Sequence, residues 1–374
     1  MIKCVEPLAR CHVLRLPPQT TMRNELSWTL GIATYNRRVD LLDCLRLALL
    51  QTRPPEQIVI VDASADWEVT REEVRRSLAP ILDGVDWMYV AALKPSAAVQ
   101  RNQCLDLATC DVVFLIDDDS MMFADCAAEI MKVYEADVDQ LICGVSALEV
   151  RSHPDDHGGP LLAVGGASSD SDAVGPRGFI AWVRRVAHAE EVFVPYDSDA
   201  PMRALPDSIT STVRIGRRLF MAGMTMTVRR EPARATRFED CLIDRGPEDS
   251  DISCRLARIG AIVTALDARL HHRGSVSGRY SPYSRVALDY LAGVVLHRLH
   301  SADLAKSRRR LIAMLRRRTW IGLLKDLSRR QWRLPNTRAA IFAWSHLSRV
   351  MSMSKEQVRE WYPKYARQFL GRSG

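Results

Sequence analysis

Val112-Val113-Phe114-Leu115-Ile116-Asp117-Asp118-Asp119-Ser120 is the stretch on which the fold of this chain turns. Five apolar residues, two of them β-branched at the front, predict a buried parallel strand. Three carboxylates follow at once, just past the strand's carboxyl end, where open α/β sheets bind their ligands. Three adjacent negative charges repel one another unless a cation sits among them. A hard divalent ion that keeps some waters and also grips a diphosphate meets that demand. The plainer alternative is a solvated acidic turn in which one Asp caps the next helix.

Working outward, strand and helix patterns alternate on both sides of this run. Trp28 to Thr34 reads as a first strand ending in Tyr35-Asn36-Arg37. The next segment carries Leu41, Leu42, Leu45 and Leu49 on one helical face, with Asp40 and Asp43 near its start, until Pro54-Pro55 breaks it. Gln57-Ile58-Val59-Ile60-Val61-Asp62-Ala63-Ser64 reads as a second strand that ends on a carboxylate. Trp67 to Leu78 reads as helix, Asp86 to Ala92 as a third strand and Pro95 to Thr109 as the helix feeding the acidic strand. This alternation predicts an α/β fold with parallel pairing and right-handed crossovers.

The 374 residues, 47% apolar and 26% charged, suit a globular chain of about two domains. Nine cysteines, at 4, 11, 44, 104, 110, 126, 143, 241 and 254, form no C-x-x-C pair. They point to free thiols in a reducing compartment rather than a disulfide framework or a zinc site. No signal-peptide core precedes the first strand, and no apolar run is long enough to span a membrane, so a cytoplasmic protein is expected. Charge is divided unevenly. Val276 to Gly374 holds 21 basic and 5 acidic residues, against 31 and 40 in the remainder. An acidic front and a basic tail suggest two parts with different partners.

No G-x-G-x-x-G follows the first strand and no G-x-x-x-x-G-K-[ST] occurs, which argues against dinucleotide and P-loop chemistry. Instead three strands end in polar tips, at Thr34 to Arg37, Asp62 to Ser64 and Asp117 to Asp119, all at one edge of a parallel sheet. A base or ribose fits the first two and a metal-bridged diphosphate the third, with Arg101-Asn102 within reach. The order Thr34-Tyr35-Asn36-Arg37, Val61-Asp62-Ala63-Ser64, Gln100-Arg101-Asn102-Gln103-Cys104 and Phe114 to Asp119 resembles the family 2 glycosyltransferases. The second half continues the resemblance with Met221 to Arg230, Phe238-Glu239-Asp240, Gly246 to Leu256 and Leu270-His271-His272-Arg273-Gly274-Ser275. The similarity runs from about Trp28 to Ser277. It departs from the family at Ala63, where a second acidic or polar residue is common, and at Gln103-Cys104, where a small residue and Gly are commoner.

The resemblance implies a GT-A fold, a Rossmann-like, mostly parallel sheet flanked by helices, over residues 28–277. An N-terminal extension, 1–27, would precede it and a basic α-helical region, 278–374, would follow. It implies an inverting transfer of a hexosyl or deoxyhexosyl group from a nucleotide-diphosphate donor to a hydroxyl of a glycan or lipid-linked acceptor. The donor set would be Thr34, Asn36, Arg37, Asp62, Ser64, Arg101, Asn102, Asp117 and Asp118. Asp62 would meet the base, Arg101 a phosphate or the donor sugar, and Asp118 the ribose or sugar. Asp119, supported by Asp117, would hold Mn²⁺ or Mg²⁺, and His271 is the expected third ligand, although His272 adjoins it. Asp249 would be the general base, with Glu248 as the fallback or an acceptor contact; helix capping is the plainer role for both. Asn36 closing a turn and Arg101 pairing with Asp106 on its own helix are the corresponding plain readings.

Arg151 to Pro206 is the least legible part; Gly158-Gly159-Pro160, Gly165-Gly166 and Ser168 to Asp172 suggest loops, and Trp182 suits a sugar face or a core position equally. The tail predicts three helices, Ser284 to Leu299, Leu304 to Leu327 and Thr337 to Met351. Arg308 to Arg310 and Arg316 to Arg318 frame Leu311, Ile312, Leu315, Trp320 and Leu323, which suits either an interfacial helix on anionic lipid or a packed bundle with a solvated basic face. No nucleic-acid motif is present, and nucleic acid is not an expected partner. A nucleotidyltransferase of the same fold would be expected to carry a Gly-rich, lysine-containing loop after the first strand, which Thr34 to Arg38 lacks. A non-catalytic protein that uses the basic tail to hold membrane or nucleic acid is the other alternative.

Overall fold

The computed structural model describes residues 25–156, 204–218, 220–242, 247–274 and 282–371. The leader with Pro17-Pro18, the glycine-rich stretch from Gly158 and Trp182 lie outside these residues. Strands β1 (Trp28–Thr34), β2 (Gln57–Asp62), β3 (Asp86–Ala91) and β4 (Val112–Phe114) pair in parallel in the order β3-β2-β1-β4. Helices α1 (Arg38–Leu49), α2 (Trp67–Leu82) and α3 (Ala97–Leu107) are the crossovers. Both faces of this half-sheet are covered, which is why its strands read as continuous apolar runs. Leu30, Ile32, Ile58, Ile60 and Phe114 pack with Leu41, Leu45 and Val74 on one face, where the Trp28 and Phe114 rings lie 4.2 Å apart. Val59, Val61, Val113 and Leu115 meet Ala98, Cys104 and Leu105 of α3 on the other. Gly31 lets α3 lie close, since a Cβ there would fall 3.1 Å from Cys104 Cβ.

The register fixes the functional edge. Thr34 stands opposite Asp62 and Ala33 opposite Asp117, so the ends of β1 and β2 and the acidic turn finish side by side. Uniform parallel pairing does not continue past this point. A parallel neighbour needs a crossover of roughly a dozen residues, but only residues 115–119 separate β4 from β5 (Ser120–Met122). β5 instead pairs antiparallel with β9 (Ala261–His272). β8 (Met226–Arg229) runs antiparallel to both β4 and β6 (Ile142–Val150), while β7 (Ile215–Arg218) runs antiparallel to β9. Among the described strands past β4, only β6 and β9 pair in parallel. Helices α4 (Cys126–Ala136), α5 (Asp207–Thr210), α6 (Arg230–Thr236) and α7 (Glu248–Leu256) complete this part.

The basic region folds as α8 (Pro282–His300), α9 (Leu304–Ser328), α10 (Pro335–Ser352) and α11 (Lys355–Gly371), one helix more than the pattern predicted. The extra helix carries a capping box: Gln357 N–H donates to Ser354 Oγ and Ser354 N–H to Gln357 Oε1. Leu291, Val295, Leu311, Leu315, Leu347, Val358 and Tyr362 form a core that continues into Cys241, Leu242 and Cys254 of the sheet part. Leu311 and Leu315 therefore face inward, as the bundle reading requires, while Trp320 faces out. Arg359 of α11 and His300 of α8 both reach Glu239 in the loop before α7, at 2.8 and 3.0 Å. The seven described cysteines are all buried. Among the described residues no helix is long and apolar enough to cross a membrane.

Candidate active site

The acidic turn is built from inside outward. Asp118 is buried and accepts from Thr34 Oγ1 at 2.7 Å and Arg37 Nη1 at 2.9 Å. Burial pushes its pKa up to about 7 against the pull of Arg37 and Thr34. Asp119 lies 3.5 Å from Arg37 Nη1 through Oδ2 and 3.2 Å from His272 Nε2 through Oδ1. That contact raises the histidine's pKa. Asp117 is the outermost of the three, its side chain 34% exposed.

One ligand atom from each of Asp117, Asp119 and His272 falls within 4.8 Å of the others. Two carboxylate oxygens and an imidazole nitrogen, open to solvent on the Asp117 side, fit a divalent transition ion that also accepts oxygen from a ligand. The histidine that reaches the acids is thus His272, where the sequence suggested His271. Adjacent strand residues point to opposite faces, and β9 sets Ser120 opposite His272 and Met121 opposite His271. His271 turns away, its Nδ1 3.1 Å from the Val150 carbonyl and its ring edge-on to His153.

The other strand tips are shaped by their own hydrogen bonds. Asp62 accepts from Ser64 N–H at 2.7 Å and from the Tyr89 hydroxyl at 2.6 Å, and Ser64 Oγ also donates to it. Asn36 has φ 53° and donates its N–H to Ser64 Oγ, closing the β1 turn beside the exposed Tyr35. Asn102 clips the Phe238 backbone in both directions, at 2.9 and 2.8 Å, so it holds the loop before α7 rather than facing the edge.

Arg101 joins the two acidic groups. Buried beneath the edge, it donates to Asp117 Oδ1 at 2.7 Å and to Glu248 Oε1 at 3.2 Å. Asp106, its plain partner on α3, pairs instead with Arg237. Asp249, beside Glu248 in the first turn of α7, accepts from Gly223 N–H at 3.1 Å and Ser250 N–H at 2.7 Å. Pro247 rather than either acid stands at the N-cap. Burial raises both carboxyls above their ordinary range against the pull of Arg101, with the charge of Asp249 adding to it at Glu248 and that of Asp117 at both, which suits proton transfer. Two contributors carry no chemical signature in the sequence. Gly223 offers its N–H and leaves room for Arg101, since a Cβ there would lie 2.6 Å from Nη2. Arg273 ties the end of β9 to Asp40 and Asp43 of α1, both at 2.8 Å.

Residues 29–154 match the model of the family described as glycosyl transferase family 2. This stretch is a family 2 glycosyltransferase domain. It holds β1 to β6 and the acidic turn; α7, β9 and the basic helices lie beyond the matched residues. No curated protein matches the chain by sequence. Among solved structures, GalNAc-T7 with UDP, GalNAc and Mn²⁺ is 14% identical, with a TM-score of 0.53 over 91% of this chain and 58% of that one. The Pyrobaculum calidifontis mannosyltransferase PcManGT, solved with GDP-Man and Mn²⁺, is 16% identical at TM-score 0.49, over 87% of this chain and 88% of that one. S. aureus TarS residues 1–349 are 17% identical at TM-score 0.44, over 92% and 88%. The glycosyltransferase domain thus sits in a mixed α/β sheet of the GT-A kind, with its helical extension packed beside α7.

Proposed function

We propose that the chain transfers a sugar, with inversion, from a nucleoside-diphosphate donor to a hydroxyl of a glycan or lipid-linked acceptor. The observation that carries this is the bridge from Asp117 through Arg101 to Glu248, which brings the acidic strand tip and the first turn of α7 to one buried guanidinium. Thr34, Arg37 and Asp118 line the donor edge, with Asp62 and Ser64 shaping the wall where the base would lie. Asp117, Asp119 and His272 would hold the cation, for which we expect Mn²⁺, the ion bound with UDP in the GalNAc-T7 structure. When bound, that ion supplies positive charge to the departing diphosphate. Arg101 adds a fixed guanidinium on the same side. Asp249 takes the proton from the acceptor hydroxyl as its oxygen attacks the anomeric carbon; the Gly223 and Ser250 N–H groups hold that carboxylate in place. Glu248, anchored on Arg101, orients the acceptor.

Asp119→Asn and Asp249→Asn test the reading against a panel of nucleotide sugars with Mn²⁺. Asp119→Asn should lose both transfer and donor hydrolysis, and Asp249→Asn should lower transfer by about 10²–10⁴-fold while keeping the rise in Tm that a bound donor gives. Unchanged transfer and hydrolysis in both variants would refute it and favour a non-catalytic binding protein.

A further inference from the structure

The basic helices carry a surface that the transfer chemistry does not use. On α9, Leu311, Met314, Leu315, Gly322 and Asp326 are buried against the bundle. Trp320, Leu324 and Leu327 follow at spacings of four and three on the opposite face, 67%, 67% and 46% exposed. Trp332, 77% exposed, continues the stripe into the turn before α10. Exposed Arg316 lies one turn before Trp320, and exposed Lys325, Arg329, Arg330 and Arg333 lie in the last turn of α9 and the turn that follows it. The one acid between residues 316 and 333, Asp326, is buried and accepts from Asn336 and Thr337 at the start of α10, so this segment itself presents no carboxylate.

We infer that the outer stripe of α9 and the α9–α10 turn form a docking surface for an anionic lipid bilayer. Apolar side chains on successive turns, with tryptophans at both ends and exposed cations in the same segment, match what an in-plane helix presents to the boundary of headgroups and acyl chains. The arginine and lysine side chains of the same segment would meet anionic headgroups. The helix does not cross the membrane, since no described helix is apolar enough. Charge complementarity selects this occupant: a second copy would set like charges against like, and a phosphate backbone alone would leave Leu324 and Leu327 uncovered. The stripe consists of outward residues that do not hold the bundle together, so it rests on burial in the folded chain and not on the proposed sugar transfer.

The test uses the full chain in vesicle co-sedimentation. The protein should pellet with vesicles of mixed phosphatidylcholine and phosphatidylglycerol, not with phosphatidylcholine alone, and added salt should release it. Trp320→Ser/Leu324→Ser/Trp332→Ser should weaken pelleting by about tenfold or more while its Tm stays at that of the parent. Should that variant misfold, Trp320→Phe/Trp332→Phe serves instead: brominated lipid should quench the parent's fluorescence more strongly than this variant's. Full pelleting of the serine variant would overturn the assignment. So would equal quenching in the phenylalanine variant, binding to duplex or single-stranded DNA but not to vesicles, or a dimer that the serine substitutions dissociate without vesicle binding in the parent.

Discussion

Glu239→Gln probes the joint between the sheet part of the chain and the basic helices. Burial by itself would raise the Glu239 pKa, yet hydrogen bonds from His300 and Arg359, and their charges, hold it at about 2 against an ordinary 4.5. A carboxylate depressed in the folded state stabilises it above the unfolded pKa and loses that stability as pH falls through the folded one. The difference corresponds to roughly 3 kcal/mol at neutral pH, fully present above about pH 5 and gone near pH 2. Glutamine keeps the shape and one acceptor but not the charge. Arg359, whose side chain is 44% exposed, can turn to water, so the loss should not exceed that figure. The expected result is a Tm lower than the parent's by about 5 °C at pH 7.5, with the gap narrowing steadily between pH 5 and pH 3. Limited proteolysis at pH 7.5 should cut the variant first between α10 and α11, where the lost pair had anchored α11. An undiminished Tm at pH 7.5, or a gap of the same size at pH 3, would refute the linkage.

The histidine assignment separates cleanly by titration calorimetry with Mn²⁺. His272→Gln should weaken binding by about 10–100-fold, in line with losses at metal sites, whereas His271→Gln, facing Val150, should leave it unchanged. Gly223→Ala would place a methyl 2.6 Å from Arg101 Nη2 and push the guanidinium off Asp117 and Glu248. Steady-state kinetics should show a lower kcat, and a thermal melt a cost of about 1–3 kcal/mol; unchanged values of both would show that the Arg101 bridge does no work.

The first half of the sheet was legible because its strands are buried on both faces and its crossovers are full helices. Apolar runs and amphipathic faces then name each element nearly to the residue, as at Trp28–Thr34 and Gln57–Asp62. The polar tips were legible for the same reason, since a strand's carboxyl end is fixed once the strand is. Beyond β4 the strands are short and antiparallel, and their partners lie far away in sequence, so alternation no longer reports pairing. The fourth basic helix did leave a mark in Ser354 to Gln357, but a capping box is a short local signal, easily missed behind charge patterns that run the length of the tail.

Residue types and their order therefore determined that a parallel α/β half-sheet presents an acidic turn, because burial on two faces constrains every position of a strand. Only the folded chain decided what those residues do to each other. Arg101 spends itself on Asp117 and Glu248, 16 and 147 residues away, and not on Asp106, five residues along its own helix. His272 rather than His271 faces the acids because the β5–β9 register assigns alternate residues to opposite faces. Such choices depend on through-space distance, which the linear pattern does not encode.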